Sequence, residues 1–301
     1  MPPAPRSPIA WFVDQPYLLL SLTSLFWAGN LVLGRYVAGH VPAVTLACIR
    51  WLGALALLLP FAWSHLKTDW PVLRAHLPLV ALLALTGYAA NTALAYEGLK
   101  YTQALNGLLI QSSGPLCVAL WTLILFRVRL TLAQLLGIVV SMAGVLIIIL
   151  RGDLSALASI QINKGDAMLF GALLVFGIYS ALMLRRPVTH PMSLITATVA
   201  GGALMTAPVA IWEMQNGSPL VFDAVTLLTL GYAAIFPSAL AYLFFNRGIA
   251  LIGPNRAAPF LHLMPVFGSA MAIVFLGEQP QLFHLVGYAL VLSGVFIASR
   301  R

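Results

Sequence analysis

Long apolar runs follow one another along almost the whole chain, separated by short breaks that hold charged residues, proline or glycine. Each run has about 20 residues, the length that a helix needs to cross a hydrocarbon core about 30 Å thick. The alternation of apolar and polar residues that is typical of membrane-spanning strands is missing, so we interpret the runs as helices. The pattern predicts ten transmembrane helices, at approximately 17–38, 41–63, 76–96, 103–126, 131–150, 166–184, 191–212, 224–246, 255–276 and 281–299.

The composition indicates a chain that lies almost wholly in lipid. Hydrophobic residues make up 61% of the 301 residues and charged ones 8%, whereas a soluble domain has about 25% charged residues. These values exclude intrinsic disorder, and a content of two cysteines, Cys48 and Cys117, excludes a secreted disulfide scaffold. The sequence has no GxxxxGK(S/T) loop, no HExxH motif and no metal-ligand spacing. We therefore expect no enzyme, no cofactor and no metal.

The distribution of basic residues predicts the orientation of the helices, because cytoplasmic loops of membrane proteins are rich in Lys and Arg. With both termini in the cytoplasm, eleven of the 16 Lys and Arg lie on that side. Four lie on the opposite side (Arg35, Lys100, Arg151 and Lys164), and Arg50 lies within the second helix. The net charge of +8 therefore needs no nucleic-acid partner. We expect a multi-pass protein of a bacterial inner membrane.

The two halves of the sequence repeat at an offset of 150 residues. Gly98 corresponds to Gly248, and the same shift relates Pro115 to Pro265, Gly137 to Gly287 and Gly144 to Gly294. Because each half has five helices, an odd number, the second half enters the membrane from the opposite side. The predicted fold is all-α, with two inverted five-helix repeats and a central cavity between them. We place a cytoplasmic tail at 1–16, the repeats at 17–150 and 166–301, and an extracytoplasmic linker at 151–165.

Several of these residues carry a resemblance to a known family. The segment Leu99–Lys100–Tyr101–Thr102, Pro115 and the glycine helix at 137–146 resemble the EamA repeat of the drug/metabolite transporter superfamily, as do Pro265 and FLGEQPQ at 275–281. Phe26–Trp27, Gly87–Tyr88 and AYLFFNRGI at 241–249 are similar to YddG-type amino-acid exporters. The resemblance implies a ten-helix inner-membrane exporter of amino acids, including aromatic ones. One departure is that Glu278 has Val128 at the equivalent place in the first half.

Polar and aromatic residues deep in the predicted helices are candidates for the substrate pathway. Spacings of three and four place Trp27 with Asn30, Tyr88 with Asn91 and Ser238 with Tyr242 on common helix faces. The full set of candidates is Trp27, Asn30, Tyr88, Asn91, Ser112, Phe176, Tyr179, Ser238, Tyr242 and His262. Ordinary helix packing is the alternative for the aromatic residues and His262, and hydrogen bonding between helices is the alternative for Asn30 and Asn91.

Pro115 and Pro265 occupy matching positions in the middle of two predicted helices. A proline inside a helix removes a backbone hydrogen bond and bends the helix. We therefore expect these two residues to act as hinges when access to the cavity alternates between the two sides.

The charged residues indicate how transport is driven. Arg50 is the only fixed charge deep in a predicted helix, and no Asp or Glu lies at comparable depth. His262 is the one deep residue that titrates near neutral pH. This pattern favours facilitated movement over proton coupling, with coupling through His262 as the alternative. Arg50 either binds a substrate carboxylate or packs against the carbonyls of a neighbouring helix.

A neutral cavity with aromatic walls suits amino acids that carry apolar side chains. Phosphorylated substrates would need several pathway Lys or Arg, which are absent from the sequence. The alternative is a proton-coupled exporter of hydrophobic drugs or other metabolites, and a channel or receptor is the other class. The expected partners are the bilayer and a small-molecule substrate, an amino acid, with no nucleic acid. A monomer is favoured, with a dimer as the alternative.

Overall fold

The computed structural model describes residues 8–102, 110, 113–150, 152–153, 155, 164–217, 220–276 and 282–299. These residues form helices and no strand, apart from one isolated bridge between Ala38 and Val41. A short helix, Pro8–Val13, precedes the helices that we number α1 to α10. They are α1 (Pro16–Tyr36), α2 (Ala43–Ala75), α3 (Leu77–Leu99), α4 (Gly114–Phe126), α5 (Leu132–Ile149), α6 (Lys164–Leu182), α7 (Pro191–Asn216), α8 (Ala224–Ile252), α9 (254–276) and α10 (Leu282–Ser299).

Six of these helices are long and apolar enough to cross a membrane, within the part of the chain that the structure describes. They are α1, α2, α3, α8, α7 and α6, the last counted with the 3₁₀ turn Met183–Arg185 that extends it. Shorter apolar helices lie at Gly114–Phe126, Leu132–Gly144 and Leu285–Ala298. The all-helical membrane fold is thereby supported, whereas the number of ten spans stays a prediction.

The bounds of α2 differ from the predicted ones, since the helix continues to Ala75 instead of ending at 63. The residues from Ser64 onward are polar enough to end a membrane segment, and the prediction stopped there. A polar run can still continue a helix, because the backbone hydrogen bonds do not depend on the apolar pattern.

Three of the helices depart from regular α-helix within their length. In α3 the residues Leu85–Ala89 form a π-turn, and in α8 the residues Ile235–Leu240 do so. These two turns begin at positions related by the 150-residue offset. The third departure is in α9, where Ala258–His262 is a 3₁₀ segment between the α-helical pieces Pro254–Ala257 and Leu263–Leu276.

Both predicted hinge prolines lie near the beginning of an α-helical segment. Pro115 is in the first turn of α4, and Pro265 follows the 3₁₀ segment at the beginning of the last piece of α9. Proline is tolerated in a first turn, where its missing N–H leaves no helical hydrogen bond unmade. The hinge role of the two residues stays a prediction.

The contacts between helices recur after a shift of five helices. The pair α3–α6 corresponds to α8–α1, and α4–α6 corresponds to α9–α1. Two further pairs of helices, α2–α7 and α5–α10, also pack extensively. The same shift of five helices relates each of these pairs to itself. This is the pattern expected of two halves with similar internal arrangements. That the halves are inverted across a membrane stays a prediction.

The glycines of α5 and α10 lie where these two helices cross in antiparallel directions. A Cβ built on Gly137 would lie 2.5 Å from the carbonyl oxygen of Gly294, and one on Gly144 would lie 2.6 Å from that of Gly287. Small residues allow two backbones to approach so closely, which is how membrane helices associate without a hydrophobic driving force.

Polar contacts at one end of the molecule connect α2, α3 and α7. The Glu213 carboxylate of α7 accepts hydrogen bonds from the backbone N–H and the hydroxyl of Thr45, in the first turn of α2. Lys100 pairs with Glu97 at 2.7 Å and with Glu213 at 3.6 Å. Partial burial lowers the pKa of Lys100, but the hydrogen bond to Glu97 and the two carboxylate charges outweigh this effect and raise it above its ordinary value.

Replacing Gly144 by Ala should destabilise the protein, because the added Cβ would lie 2.6 Å from the carbonyl oxygen of Gly287 and 2.8 Å from the backbone nitrogen of Val291 in α10. Overpacking of this kind costs about 1–3 kcal/mol. The measurement is the apparent melting temperature of the purified protein in detergent. Gly231→Ala is the matched control, because a Cβ at this helical position has no neighbour within 4 Å. Equal melting temperatures for the two variants would contradict the close crossing of α5 and α10.

Candidate substrate cavity

A cavity lies between α1, α2, α3, α6, α8 and α9. It has about 660 Å³ of empty space including its open mouth. Its lining consists of Trp27, Asn30, Leu31, Arg50, Asn91, Thr92, Ala95, Tyr96, Leu99, Leu173, Phe176, Tyr242, Leu261 and Met264. The cavity lies towards the end of the molecule at which α3 ends, since Leu99 lines it and is followed by Lys100.

Six rings from four helices pack together beside this cavity, and three of them line it. We call them the aromatic cluster: Trp27, Tyr88, Phe176, Tyr179, Tyr242 and Phe245. Tyr242 stacks on Tyr88 with their ring centroids 4.4 Å apart, and Trp27 meets Tyr242 edge-on at 5.3 Å. The Tyr242 hydroxyl donates to the carbonyl oxygen of Gly87 at 2.5 Å. The cluster therefore joins α1, α3, α6 and α8 at the centre of the molecule.

A second cavity lies beyond the aromatic cluster. It has about 550 Å³ of empty space and is lined by residues of α7, of α8 and of the segment 183–189 that follows α6, among them Met183, Leu194 and Asn246. The Tyr179 hydroxyl donates a hydrogen bond to the Asn246 side chain, whereas the Tyr179 ring contacts Phe176 of the first cavity. Tyr179 thus lies between the two cavities, and the cluster separates them.

The Arg50 guanidinium lines the first cavity and is held by neutral groups of three other helices. Its Nε donates to the Ser238 hydroxyl oxygen at 2.7 Å, and one terminal nitrogen donates to the Tyr96 hydroxyl oxygen at 2.7 Å. The Tyr96 hydroxyl in turn donates to Oδ1 of Asn30 at 2.7 Å. The guanidinium carbon also lies 4.5 Å from the ring centroid of Trp51, a distance at which a cation interacts favourably with an aromatic face.

The π-turn of α8 explains why polar groups are available there. Pro237 has no N–H, so it cannot donate to the carbonyl of Ala233 four residues earlier, as a helical residue would. The Ser238 hydroxyl donates to that carbonyl at 2.5 Å instead, which leaves its oxygen to accept from Arg50. The carbonyl of Pro237 accepts from Nε1 of Trp27 at 3.0 Å. One irregular turn therefore orients both Arg50 and Trp27.

Comparison with known protein families identifies the family of this chain. The sequence pattern of the EamA-like transporter family matches residues 15–150 and again residues 163–300. The chain belongs to the EamA-like transporter family.

Similar proteins agree with this membership. An uncharacterized transporter of Bacillus subtilis, YyaM, is 30% identical over 94% of this chain and 93% of its own length. A probable amino-acid metabolite efflux pump of Salmonella typhimurium is 27% identical over 93% of each chain. A crystal structure with a TM-score of 0.73 and 16% identity covers 94% of this chain and 96% of its own, which shows a common fold. This EamA-family chain is therefore a multi-pass membrane transporter.

The structure brings about half of the predicted pathway residues into the cavity lining. Trp27, Asn30, Asn91, Phe176 and Tyr242 line the first cavity. These five residues belong to α1, α3, α6 and α8, so four helices each contribute at least one predicted pathway residue to the same cavity.

The remaining predicted residues lie elsewhere. Tyr88 and Tyr179 are buried in the aromatic cluster, and Ser238 is buried beside Arg50. His262 is buried outside the lining, where Nδ1 is hydrogen-bonded to the Ser141 hydroxyl. Ser112 lies outside the described residues. A pathway role stays a prediction for all ten residues.

Sequence reasoning missed two polar lining residues of α3, Thr92 and Tyr96. Their spacing of four places them on one helix face, which was the available signal. The third predicted helix was expected to end at 96, where a tyrosine is ordinarily an anchor at the membrane surface. The helix continues to Leu99, so Tyr96 lies deeper than its predicted position.

Replacing Tyr242 by Phe should lower stability while keeping the ring in the wall of the cavity. The change leaves the buried carbonyl of Gly87 without its donor, which costs about 1–3 kcal/mol. We expect a lower apparent melting temperature in detergent. Tyr36→Phe is the matched control, because the Tyr36 side chain is 73% exposed. If both variants have the same apparent melting temperature as the unmodified protein, the hydroxyl of Tyr242 does not stabilise the cluster.

Proposed function

We propose that this EamA-family transporter exports amino acids, aromatic and other apolar ones, across a bacterial inner membrane. Transport proceeds by alternating access around the first cavity, and it is facilitative instead of proton-coupled. The observation that carries the proposal is the aromatic cluster, because it forms an apolar wall of the first cavity and at the same time separates it from the second cavity.

The lining supports the choice of substrate. Aromatic rings of Trp27, Phe176 and Tyr242 offer a surface for an apolar side chain, and the amides of Asn30 and Asn91 offer polar groups at the same cavity. The name of the Salmonella relative, a probable amino-acid metabolite efflux pump, points to the same class of substrate.

Alternating access is supported by the recurrence of structure in the two halves. We propose ten spans in two inverted five-helix repeats, since the family pattern matches twice and the π-turns of α3 and α8 lie at equivalent positions. Irregular segments at membrane depth are typical of transporters, where they line the substrate path. The 3₁₀ segment before Pro265 is such a place, which supports a hinge there and, by the offset, at Pro115.

Facilitated movement is supported by the absence of a titrating group from the cavity. Among the described residues, neither a carboxylate nor a histidine lines the first cavity. His262 is buried against Ser141 instead. A proton-coupled carrier ordinarily has a residue on its pathway that gains and loses a proton.

Efflux of labelled phenylalanine from proteoliposomes tests the function. We expect saturable flux that is the same with and without an imposed pH gradient. Trp27→Ala should lower the flux at least severalfold, because it removes a ring from the cavity wall. Trp212→Ala is the matched control, since this α7 side chain is 64% exposed.

Other outcomes of the flux measurement point to the alternatives. Flux that requires the gradient would indicate proton antiport and direct attention to His262. Transport of quaternary-ammonium dyes without transport of phenylalanine would indicate a drug exporter. Flux that does not saturate would indicate a channel, and binding without flux would indicate a receptor.

Cysteine labelling tests the orientation. In a Cys48→Ala, Cys117→Ala background, we expect a membrane-impermeant thiol reagent to reach Ala95→Cys, in the first cavity, only from the extracytoplasmic side. The same reagent should reach Ala250→Cys, in the second cavity, only from the cytoplasmic side. Sealed vesicles of both orientations provide the measurement, with the fully buried Ala54→Cys as an unlabelled control.

The opposite pattern of labelling would reverse the proposed topology. Labelling of both positions from both sides would mean that the aromatic cluster does not close the path, contrary to alternating access.

A further inference from the structure

Arg50 presents a positive charge to the first cavity although its side chain is only 3% exposed. The partners of its guanidinium are the hydroxyl oxygens of Ser238 and Tyr96, the amide oxygen of Asn30 at 3.5 Å and the carbonyl oxygen of Pro237 at 3.4 Å. All four are neutral. They orient the guanidinium but leave its charge without a counter-ion.

The acidic residues that the structure describes are engaged elsewhere. Glu97 and Glu213 pair with Lys100, and Asp14 pairs with Arg247. The others make hydrogen bonds or ion pairs away from the cavity: Asp69 with His190, Asp153 with Ser155, Asp166 with Thr102 and Asp223 with His40. Within these ranges, no carboxylate of the chain forms a salt bridge with Arg50.

A buried cation without an anion is costly, because the surrounding protein and lipid solvate it less well than water does. Neutral hydrogen bonds offset part of this cost. An anion that enters the cavity would offset more, since charge-assisted hydrogen bonds are stronger than neutral ones. The guanidinium has five N–H donors, and its four neutral partners leave one of them for a carboxylate oxygen.

We propose that Arg50 binds the carboxylate of the transported molecule, so that the cavity selects a carboxylate joined to an apolar or aromatic body. This inference rests on the proposed amino-acid transport and names the group by which the substrate is recognised. The ring of such a substrate lies against Trp27, Phe176 and Tyr242, which line the same cavity. Cations without a carboxylate are excluded by the charge of Arg50.

The ammonium group of an amino acid finds neutral partners. The amide of Asn91 supplies an oxygen acceptor, and the faces of Trp27 and Tyr242 attract a cation weakly. Because these contacts are weaker than a charge-assisted pair, the carboxylate contributes more to affinity than the ammonium does.

Binding to the purified full-length protein in detergent tests the proposal with three phenyl-containing probes. They are 3-phenylpropanoate, which has only the carboxylate, 3-phenylpropanamide, its neutral analogue, and phenethylamine, which has only the ammonium. We expect the wild type to bind the acid at least about tenfold more tightly than the amide, and the amine most weakly.

Variants assign the preference to Arg50. In Arg50→Gln the ratio of acid to amide affinity should fall to about one. Arg50→Lys keeps the charge but loses the hydrogen bonds by which Ser238, Tyr96 and Pro237 hold the guanidinium in place, so its ratio should fall at least threefold. Arg35→Gln is the matched control, because Arg35 donates to the carbonyl of Leu99 at the same end of the molecule and does not line the cavity. Its ratio should equal that of the wild type.

The proposal is overturned if the wild type does not distinguish acid from amide, or if the preference persists in Arg50→Gln. Should the Gln variant fail to fold, an unchanged ratio in Arg50→Lys overturns it equally. The proposed function and the role of Arg50 are refuted by different results. If the protein prefers the acid but transports no phenylalanine, amino-acid transport is refuted and Arg50 remains a carboxylate site. If it transports phenylalanine but does not prefer the acid, only the role of Arg50 is refuted.

Discussion

In hydrocarbon every backbone N–H and C=O must find a partner within the protein, and this constraint decides where the helices can be irregular. The π-turns of α3 and α8 and the 3₁₀ segment of α9 all belong to helices that line the first cavity. At Pro237 the missing donor leads to the hydrogen bond from Ser238 to Ala233 and, through the Ser238 oxygen, to the position of Arg50. The polar interior therefore depends on a local break in backbone pairing.

The regular parts of this fold could be predicted from the sequence, because apolar length and glycine spacing act locally. The predicted run at 166–184 corresponds closely to α6, and the repeated glycines Gly137 and Gly144 correspond to the crossing of α5 and α10. The end of α2 could not be predicted in this way, since polar residues after Ser64 leave the membrane pattern without interrupting the helix. Neither could the π-turn at Leu85, which has no proline to indicate it.

The candidate site was partly predictable for a related reason. Spacing along one helix places Trp27 with Asn30 on a common face, and both line the cavity. Spacing does not reveal how far a neighbouring helix covers that face. Tyr88 therefore lies behind Tyr242 instead of lining the first cavity, and Tyr96 enters the lining through a longer α3. The partners of Arg50 come from three other helices, so only the assembled structure brings them together.

The position of Arg50 breaks the likeness between the two halves. At an offset of 150 residues its counterpart is Ala200 on α7, which carries no charge. A bound molecule consequently meets a chemically different surface on each side of any twofold axis that relates the halves. Exchange between inward and outward arrangements would then connect states of unequal energy. The two halves thus repeat the fold, whereas the charge of Arg50 is present in only one of them.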